Sequence, residues 1–196
     1  MHRVSEASGE ALEVAAPIFA MAEAGMGFVP NSLKIMARQP AMLQAFISLT
    51  AGIMGPQSPL SPGLIQMIAN ITSQASGCRY CQAHTAHGAE RRDVSAEKVQ
   101  ALWEYETSDL FTDSERAALA LAQAAGSVPN ETTDAHFEAL RPHFNEDEIV
   151  AILGVISLFG FLNRWNDTLG TKLEDKPLGF AEANLTKLGW EIGSHG

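Results

Sequence analysis

Residues 76–87 read Ser-Gly-Cys-Arg-Tyr-Cys-Gln-Ala-His-Thr-Ala-His, and this stretch decides how the rest of the chain is interpreted. It contains both cysteines of the 196-residue chain, Cys78 and Cys81, and two of its six histidines. Gly77 marks a break between two apolar segments, so we expect a new helix to begin near Cys78. Both thiols then lie in its first turn and on one face, because residues three apart are neighbours on a helix.

A cysteine pair at the start of a helix favours redox chemistry. The unpaired N–H groups and the positive end of the helix dipole stabilise a thiolate over a thiol. The thiolate is the nucleophilic form of cysteine, and a C-x-x-C at a helix N-terminus is a known setting for it. The stretch therefore predicts a dithiol redox site.

Two other interpretations of the cysteine pair stay open. The first is half of a zinc site, which normally needs four ligands, and the chain has no second C-x-x-C. His84 and His87 are the remaining ligands on offer, but His87 lies about 180° from Cys78 around a regular helix. The second interpretation is a pair of buried, inert cysteines, since free cysteine is often a core residue.

The helical repeat also indicates which side chains surround the thiols. Thr85 lies above both cysteines, and His84 lies about 60° to one side of Cys81. His84 is therefore the candidate proton shuttle. The alternative is a packed histidine whose ring binds a backbone carbonyl, and the two interpretations carry equal weight.

Composition limits the classes of partner. The net charge of −10 argues against nucleic acid and anionic membrane surfaces. The N-terminus lacks the apolar core of a signal peptide, and the longest apolar stretch, residues 149–162, is too short to span a bilayer. We therefore expect a cytoplasmic protein without a membrane partner. No phosphate-binding loop or H-E-x-x-H motif is present, and we expect neither a cofactor nor a metal.

The remaining sequence predicts an all-α protein. No segment alternates with period two, and cap signals precede apolar segments at Ser61–Pro62, Thr112–Glu115 and Asn145–Glu148. We expect about eight to ten helices in one domain over residues 1–196, with a frayed N-terminus at 1–10 and a C-terminal tail at 178–196 that includes a possible helix. The helix from Asn145 is apolar almost all round as far as Leu162, so we expect it to be central, either in the core or across a subunit contact.

The segments that begin at Leu60 and Phe144 resemble each other at an offset of 84 residues. The second has Leu162 and Trp165 at the positions of Cys78 and Cys81. The sequence thus indicates a repeated helical unit in which only the first copy carries thiols. The matched pairs are Ile65 and Ile149, Ile68 and Ile152, and Ser73 and Ser157.

A capped apolar helix followed by Gly-Cys-x-Tyr-Cys and a nearby histidine resembles the alkyl hydroperoxidase D-like (AhpD-like) family, also called the carboxymuconolactone decarboxylase family. Residues 27–31 and 163–168 resemble its peroxidase-related subgroup. The resemblance implies an all-α AhpD-like fold with a repeated helical unit, and homo-oligomers. It also implies thiol peroxidases or disulfide reductases, whose cysteine pair is oxidised by a peroxide and reduced by a dithiol or protein partner.

The resemblance also implies roles for individual residues. The family glutamate falls on Gln66 and the family histidine on Thr85, so the family's proton relay is not carried over. His84 occurs in the subgroup's pattern and is the expected shuttle. By resemblance Cys81 is the preferred attacking thiol and Cys78 the resolving one. Residues that we expect to line the site are Gln66, Thr85, Tyr80 and Trp165.

These observations predict a thiol-dependent oxidoreductase that reduces peroxides with the Cys78–Cys81 pair. The alternative is a non-redox oligomeric protein that binds a small molecule, or a lyase of the carboxymuconolactone decarboxylase type, with inert cysteines. The resemblance makes the lyase less favoured, because members that decarboxylate a lactone acid generally lack the cysteine pair.

Overall fold

A computed structural model describes residues 3–196. Over this range the chain forms ten α-helices and no strand, as the sequence predicted. Short 3₁₀ turns follow α6 and α10, at Leu102–Glu104, Thr186–Leu188 and Gly193–His195. The helices are α1 Glu10–Met26, α2 Asn31–Met36, α3 Pro40–Met54, α4 Pro62–Ala75, α5 Arg79–Glu90, α6 Ala96–Gln100, α7 Asp113–Gly126, α8 Asp134–Leu140, α9 Glu146–Leu169 and α10 Asp175–Asn184.

The predicted caps explain where the main helices begin. The Ser61 side chain accepts a hydrogen bond from the Leu64 N–H, and Pro62 occupies the first helical position of α4. Capping boxes open α7 at Thr112 and α9 at Asn145, where each cap and the glutamate three residues later exchange hydrogen bonds. These contacts satisfy N–H groups that a helix start otherwise leaves unpaired.

The main core forms around α4, which packs against α5, α7 and α9. α4 is buried along most of its length, from Leu64 to Ser73. α10 packs against α5 from the other side. A helix that is surrounded in this way fixes its neighbours, so α4 and α10 together determine the position of α5 and its cysteines.

α9 extends past the apolar stretch that ends at Leu162. It continues to Leu169 and ends at Gly170, which adopts the left-handed conformation with φ 57°. By length and composition alone it is apolar enough to cross a membrane. In this fold, however, one side of it packs on α4, α5 and α7, and the other side leaves Val150 and Phe161 exposed. It is therefore a core helix on one face and not all round.

The two terminal segments are bound to the fold. A second apolar cluster contains Ala7, and the Ala7 N–H donates to the Lys34 carbonyl at 3.0 Å. The Arg3 N–H donates to the Leu169 carbonyl at 2.9 Å. The segment predicted to be frayed is thus bonded to the fold at Arg3 and Ala7, whereas residues 1 and 2 lie outside the described range. The predicted tail begins inside α10, and its end pairs through the His195 carbonyl with the Leu173 N–H.

The two segments related by 84 residues differ in one respect. Gly77 separates α4 from α5 with φ 79°, a conformation that L-residues adopt only at a cost. At the same offset, α9 runs straight through, and Leu162 and Trp165 lie inside it. A second helix start, and with it a second thiol site, does not arise there.

Candidate functional site

The Gly77 break places Cys78 at the N-cap of α5. The Cys78 sulfur accepts a hydrogen bond from the Cys81 N–H at 3.5 Å. The two cysteines lie 3.4 Å apart, and both are free thiols. The predicted helix start is thus confirmed, and both thiols occupy the first turn.

Both cysteines are buried, and burial changes the chemistry of Cys81. Cys78 is 0% exposed and Cys81 is 2% exposed. Burial, followed by the contact with Cys78, raises the pKa of the Cys81 thiol well above its ordinary value, although the Asn166 amide donates to its sulfur at 3.5 Å. At Cys81, burial therefore opposes the stabilisation of a thiolate that we expected from the helix start, because desolvation disfavours the charged form.

His84 forms a pair with a residue from outside the motif. Its Nε2 lies 2.5 Å from Oε2 of Glu174, which precedes α10, and the two side chains are only 12% and 9% exposed. The other oxygen of Glu174 accepts from the Tyr80 hydroxyl at 2.9 Å and from the Asn31 N–H at 2.5 Å. The Tyr80 ring also stacks on the His84 ring. Among the described residues, His84 forms no hydrogen bond to either sulfur.

These contacts shift the pKa values of Glu174 and Tyr80 in opposite directions. Burial on its own would raise the pKa of Glu174, but hydrogen bonds from His84, Asn31 and Tyr80 lower it below its ordinary value. Burial, together with the Glu174 carboxylate, raises the pKa of Tyr80 well above its ordinary value. Glu174 is therefore an anion that is held by donors, and Tyr80 is a neutral donor.

A second histidine also packs near Tyr80. The His195 ring is 1% exposed, and its centroid lies 5.8 Å from that of Tyr80. A His195 ring nitrogen, an Asp167 carboxylate oxygen and the Cys78 sulfur all lie within 4.8 Å of one another. Among residues 3–196, these three side chains are close enough together to hold a metal ion. They differ from the zinc ligands weighed from the sequence, which were His84 and His87.

Thr85 and Gln66 lie at the α4–α5 interface and not among donors to the thiols. The Thr85 hydroxyl donates to the Cys81 carbonyl at 2.6 Å and accepts from the Asn70 amide at 2.9 Å. Gln66 is buried, and its Oε1 lies so close to Gly88 that a Cβ there would be 2.5 Å away. Gly88 is seven residues after Cys81, which is about 10 Å along the helix.

Trp165 lies apart from the thiols. It packs on the second apolar cluster and stacks on Phe161 at 6.0 Å. Its neighbour Asn166 faces Cys81 instead, because successive residues on a helix point about 100° apart. On this turn of α9 the residue that contacts a thiol is therefore Asn166, which the sequence analysis did not name.

The sequence analysis also missed Glu174 and His195 as partners of the site. Both lie more than 90 residues after the cysteines. No spacing rule links them to the motif, since tertiary packing of α9, α10 and the last 3₁₀ turn brings them there. The sequence offered only their residue types, a carboxylate and one of six histidines, as a sign that they could belong to a site.

Comparison with known proteins agrees with this geometry. The sequence model of the carboxymuconolactone decarboxylase family matches residues 40–124, which include α4, α5 and both cysteines. The debrominase Bmp8 is 33% identical, with 92% of this chain and 96% of that chain covered, and its crystal structure superimposes with a TM-score of 0.84. This chain belongs to the AhpD-like, carboxymuconolactone decarboxylase family.

Two further family relatives extend the comparison. A cysteine-to-alanine variant of Bmp8 in complex with 2,3,4-tribromopyrrole is 32% identical to this chain, with a TM-score of 0.85. An uncharacterised peroxidase-related protein from Ralstonia eutropha JMP134, an AhpD core, is 25% identical over 92% of this chain and 95% of that chain, with a TM-score of 0.78. The AhpD-like fold that was expected from the motif is therefore confirmed.

An open cleft lies away from the cysteines. It is found between the start of α4 and the end of α5, where Ser61, Arg92 and Lys98 contribute to its walls. Neither cysteine lines it. A family member with inert thiols would have to bind a small molecule in a place such as this.

Proposed function

We propose that this protein is a thiol-dependent oxidoreductase that reduces a small electrophile, with a peroxide as the substrate class. The observation that carries the proposal is the position of Cys78 and Cys81, 3.4 Å apart in the first turn of α5. A disulfide has a sulfur–sulfur distance of about 2.0 Å, so side-chain movement is sufficient to close it.

The reaction balances with two thiols and no further oxidant. One thiolate attacks a peroxide oxygen, the O–O bond breaks, and the alcohol leaves after it has taken up one proton. The attacking cysteine becomes a sulfenic acid. The second thiol then attacks that sulfur, water leaves, and a disulfide remains. A dithiol or a protein reductant returns the two electrons.

The pair of His84 and Glu174 supplies a proton relay next to the thiols. It consists of the same two residue types as the family relay, but the carboxylate comes from the segment before α10 instead of position 66. Tyr80 donates to the same carboxylate. This arrangement supports His84 as the shuttle, since a carboxylate partner orients the imidazole.

The position of Asn166 favours a polar substrate at Cys81. Its amide nitrogen donates to the Cys81 sulfur, and its Oδ1 is buried without a hydrogen-bond partner among the described residues. A buried acceptor of this kind is costly unless it receives a donor. The O–H of a hydroperoxide is such a donor.

Thiol counting tests the proposal. One equivalent of hydrogen peroxide should remove both free thiols together and lower the protein mass by about 2 Da, and a dithiol should restore them. Cys78→Ser and Cys81→Ser should each abolish peroxide-dependent turnover. Turnover in both single variants contradicts the proposal. Thiols that remain unmodified would favour the non-redox alternative, with binding in the open cleft.

A second candidate function is reductive dehalogenation, which the similarity to Bmp8 over nearly the whole chain favours. In balanced form, a carbon–bromine bond becomes a carbon–hydrogen bond, bromide leaves, and the two thiols become a disulfide. Incubation of the reduced protein with 2,3,4-tribromopyrrole tests it. One bromide per disulfide supports this function, and peroxide turnover without bromide release supports the first candidate.

We also propose that the protein is a homo-oligomer. The apolar side chains Val150 and Phe161 on α9 and Leu49 on α3 are exposed, and α3 packs beside α9. Exposed apolar side chains on adjacent helices are typical of a subunit contact. Light scattering over a wide concentration range tests this, and a monomer mass throughout contradicts it.

A further inference from the structure

Three side chains of metal-binding type converge from distant parts of the chain. Cys78 caps α5, Asp167 lies in the last turn of α9, and His195 ends the last 3₁₀ turn. One ligand atom from each lies within 4.8 Å of the other two. They offer a sulfur, a carboxylate oxygen and an imidazole nitrogen, which are the ligand types that zinc takes from proteins. Magnesium and calcium prefer oxygen ligands, so the sulfur argues against both.

The imidazole ring is held in an orientation that suits a ligand. Nδ1 of His195 lies 2.8 Å from the Thr171 carbonyl oxygen, and Nε2 lies 3.1 Å from Oδ1 of Asp167. A metal-bound histidine commonly donates its other ring N–H to a backbone carbonyl, which fixes the ring and its tautomer. With Nδ1 engaged in this way, Nε2 faces a carboxylate that can only accept. A cation between these two atoms binds both.

The spacing of the ligand atoms is close to that of a zinc site. Zinc bond lengths and a tetrahedral angle place neighbouring ligand atoms about 3.3–3.6 Å apart. The nitrogen–oxygen distance of 3.1 Å is near this range. The sulfur lies within 4.8 Å of both atoms, so it has to approach them by no more than about 1.2 Å. Small shifts of the three side chains are sufficient to close the site.

Burial and charge both favour a divalent ion here. Cys78 and His195 are 0% and 1% exposed, whereas the Asp167 side chain is 44% exposed. A zinc ion with one thiolate, one carboxylate and a neutral imidazole has no net charge, so the ion itself offsets the cost of a buried Cys78 thiolate. The exposed side of Asp167 gives the ion a path from solvent and leaves room for a water molecule as the fourth ligand.

The nearest cation leaves the carboxylate accessible. In the part of the chain that the structure describes, the Arg3 guanidinium donates to the backbone carbonyls of Asp167 and Thr168, at 3.0 and 2.7 Å, and not to the carboxylate. These bonds fix the end of α9. The Cys81 N–H donates to the Cys78 sulfur at 3.5 Å and holds that sulfur in place. Contacts of this kind orient metal ligands and increase the affinity of a site.

We propose that Cys78, Asp167 and His195 form a zinc site with water as the fourth ligand, and that zinc bound there keeps the Cys78–Cys81 pair reduced. The Cys78 thiol gives its proton to solvent as the zinc–sulfur bond forms. A disulfide sulfur is no longer a thiolate ligand, so zinc and the disulfide exclude each other. The zinc site stands without the proposed function, whereas its competition with the disulfide rests on that redox function.

Titration of the reduced, untagged protein with zinc chloride, followed by calorimetry, tests the site. The wild type should bind one zinc ion per chain. Cys78→Ser and His195→Gln should each weaken binding at least about 100-fold, and Asp167→Asn at least about tenfold. His143→Gln, at an exposed histidine, and Cys81→Ser are the controls and should keep the wild-type affinity. Binding that is lost in Cys81→Ser but kept in His195→Gln overturns the proposal, because the two cysteines would then be the ligands.

A second measurement needs no variant, so it applies even if His195→Gln fails to fold. X-ray absorption at the zinc edge of the zinc-loaded wild type should show one sulfur at about 2.3 Å and three nitrogen or oxygen ligands at about 2.0 Å. Two sulfur ligands, or none, overturn the proposal. Asp167→Asn is the variant with the least effect on folding, since its amide oxygen still accepts from the His195 ring.

Peroxide separates the zinc site from the proposed function. One equivalent of hydrogen peroxide should remove the free thiols at least about tenfold more slowly from the zinc-loaded protein than from the metal-free protein, and the disulfide form should bind no zinc. Oxidation at the same rate with and without zinc overturns the protective role. If zinc binding follows the variants but the metal-free thiols resist peroxide, the proposed function fails and the zinc site stands.

Discussion

The Tyr80 ring stacks on the His84 ring with centroids 4.3 Å apart and planes 25° from parallel. Both side chains also meet the Glu174 carboxylate, so a contact between aromatic rings and a charged hydrogen-bond network share the same residues. Tyr80 therefore stabilises the site in two separable ways: its ring stacks on His84, and its hydroxyl donates to Glu174.

Tyr80→Phe should separate these contributions. The ring and its stacking remain, but the hydrogen bond from the hydroxyl to Glu174 is lost, and we expect the free energy of unfolding to fall by about 1.5 kcal/mol. Tyr105→Phe is the control, because Tyr105 is also buried and its hydroxyl donates to the neutral Gln123 at 2.9 Å, while the Glu106 carboxylate lies further away at 3.4 Å. Denaturant unfolding measures both variants. Equal losses of unfolding free energy in the two variants would show that the charge on Glu174 does not strengthen its hydrogen bond with Tyr80.

Glu174→Gln should weaken the site in a pH-dependent way. At pH 7 we expect a loss of about 2 kcal/mol of unfolding free energy, because a charged acceptor for three donors is replaced by an amide. The folded-state pKa of Glu174 is lowered. Its contribution to stability is therefore present above the unfolded pKa of about 4.3 and lost as the pH falls through the folded value.

The wild type and Glu174→Gln should accordingly differ by a constant amount at neutral pH and converge below about pH 4.3. Urea unfolding at a series of pH values measures this difference. Glu138→Gln, at an exposed position in α8, is the control and should follow the wild type. A difference that grows as the pH falls would contradict the assigned sign.

Local rules in the sequence predicted the helices well, because caps such as Ser61 and Asn145 act within one turn. The same is true of the α5 start, since Gly77 and Cys78 are neighbours in sequence. Partners of the thiols were not predictable in this way. His84 was identified from its spacing, but its carboxylate was not, because Glu174 reaches it through the packing of α10 on α5.

Thr85→Val tests whether Thr85 is a structural link or part of the chemistry. The variant loses the hydrogen bonds to the Cys81 carbonyl and from Asn70, and we expect a loss of about 1–2 kcal/mol of stability. The rate of thiol oxidation by peroxide should stay within about twofold, because a hydroxyl that is engaged in this way is not a base.

Thr50→Val is the matched control, since the Thr50 hydroxyl donates only within its own helix, to the Phe46 carbonyl at 2.9 Å. It should cost less stability than Thr85→Val. A stable Thr85→Val protein whose thiol oxidation is at least tenfold slower would assign Thr85 a chemical role.

Gly77→Ala should show how much the α4–α5 break depends on glycine. A Cβ at Gly77 meets no atom within 4 Å, so the cost is conformational and should be about 1–2 kcal/mol. Gly179→Ala lies within α10, where a Cβ also meets nothing, and it should instead stabilise the helix by up to about 1 kcal/mol. Thermal unfolding of the pair checks the opposite signs, and a neutral Gly77→Ala would contradict the strained break.

The sulfur of Cys78 serves as the cap of α5, and this couples the oxidation state of the protein to the order of a helix. Closing the disulfide shortens the sulfur–sulfur distance from 3.4 Å to about 2.0 Å, so the Cys78 sulfur must move from the position in which it accepts the Cys81 N–H. The first turn of α5 should therefore open more often after oxidation, and the Cys81 amide should exchange its hydrogen faster in the disulfide form than in the dithiol form. A reductant should therefore reach the disulfide of the oxidised protein more easily, because the first turn of α5 opens more often. In the reduced protein the ordered turn keeps both thiols buried.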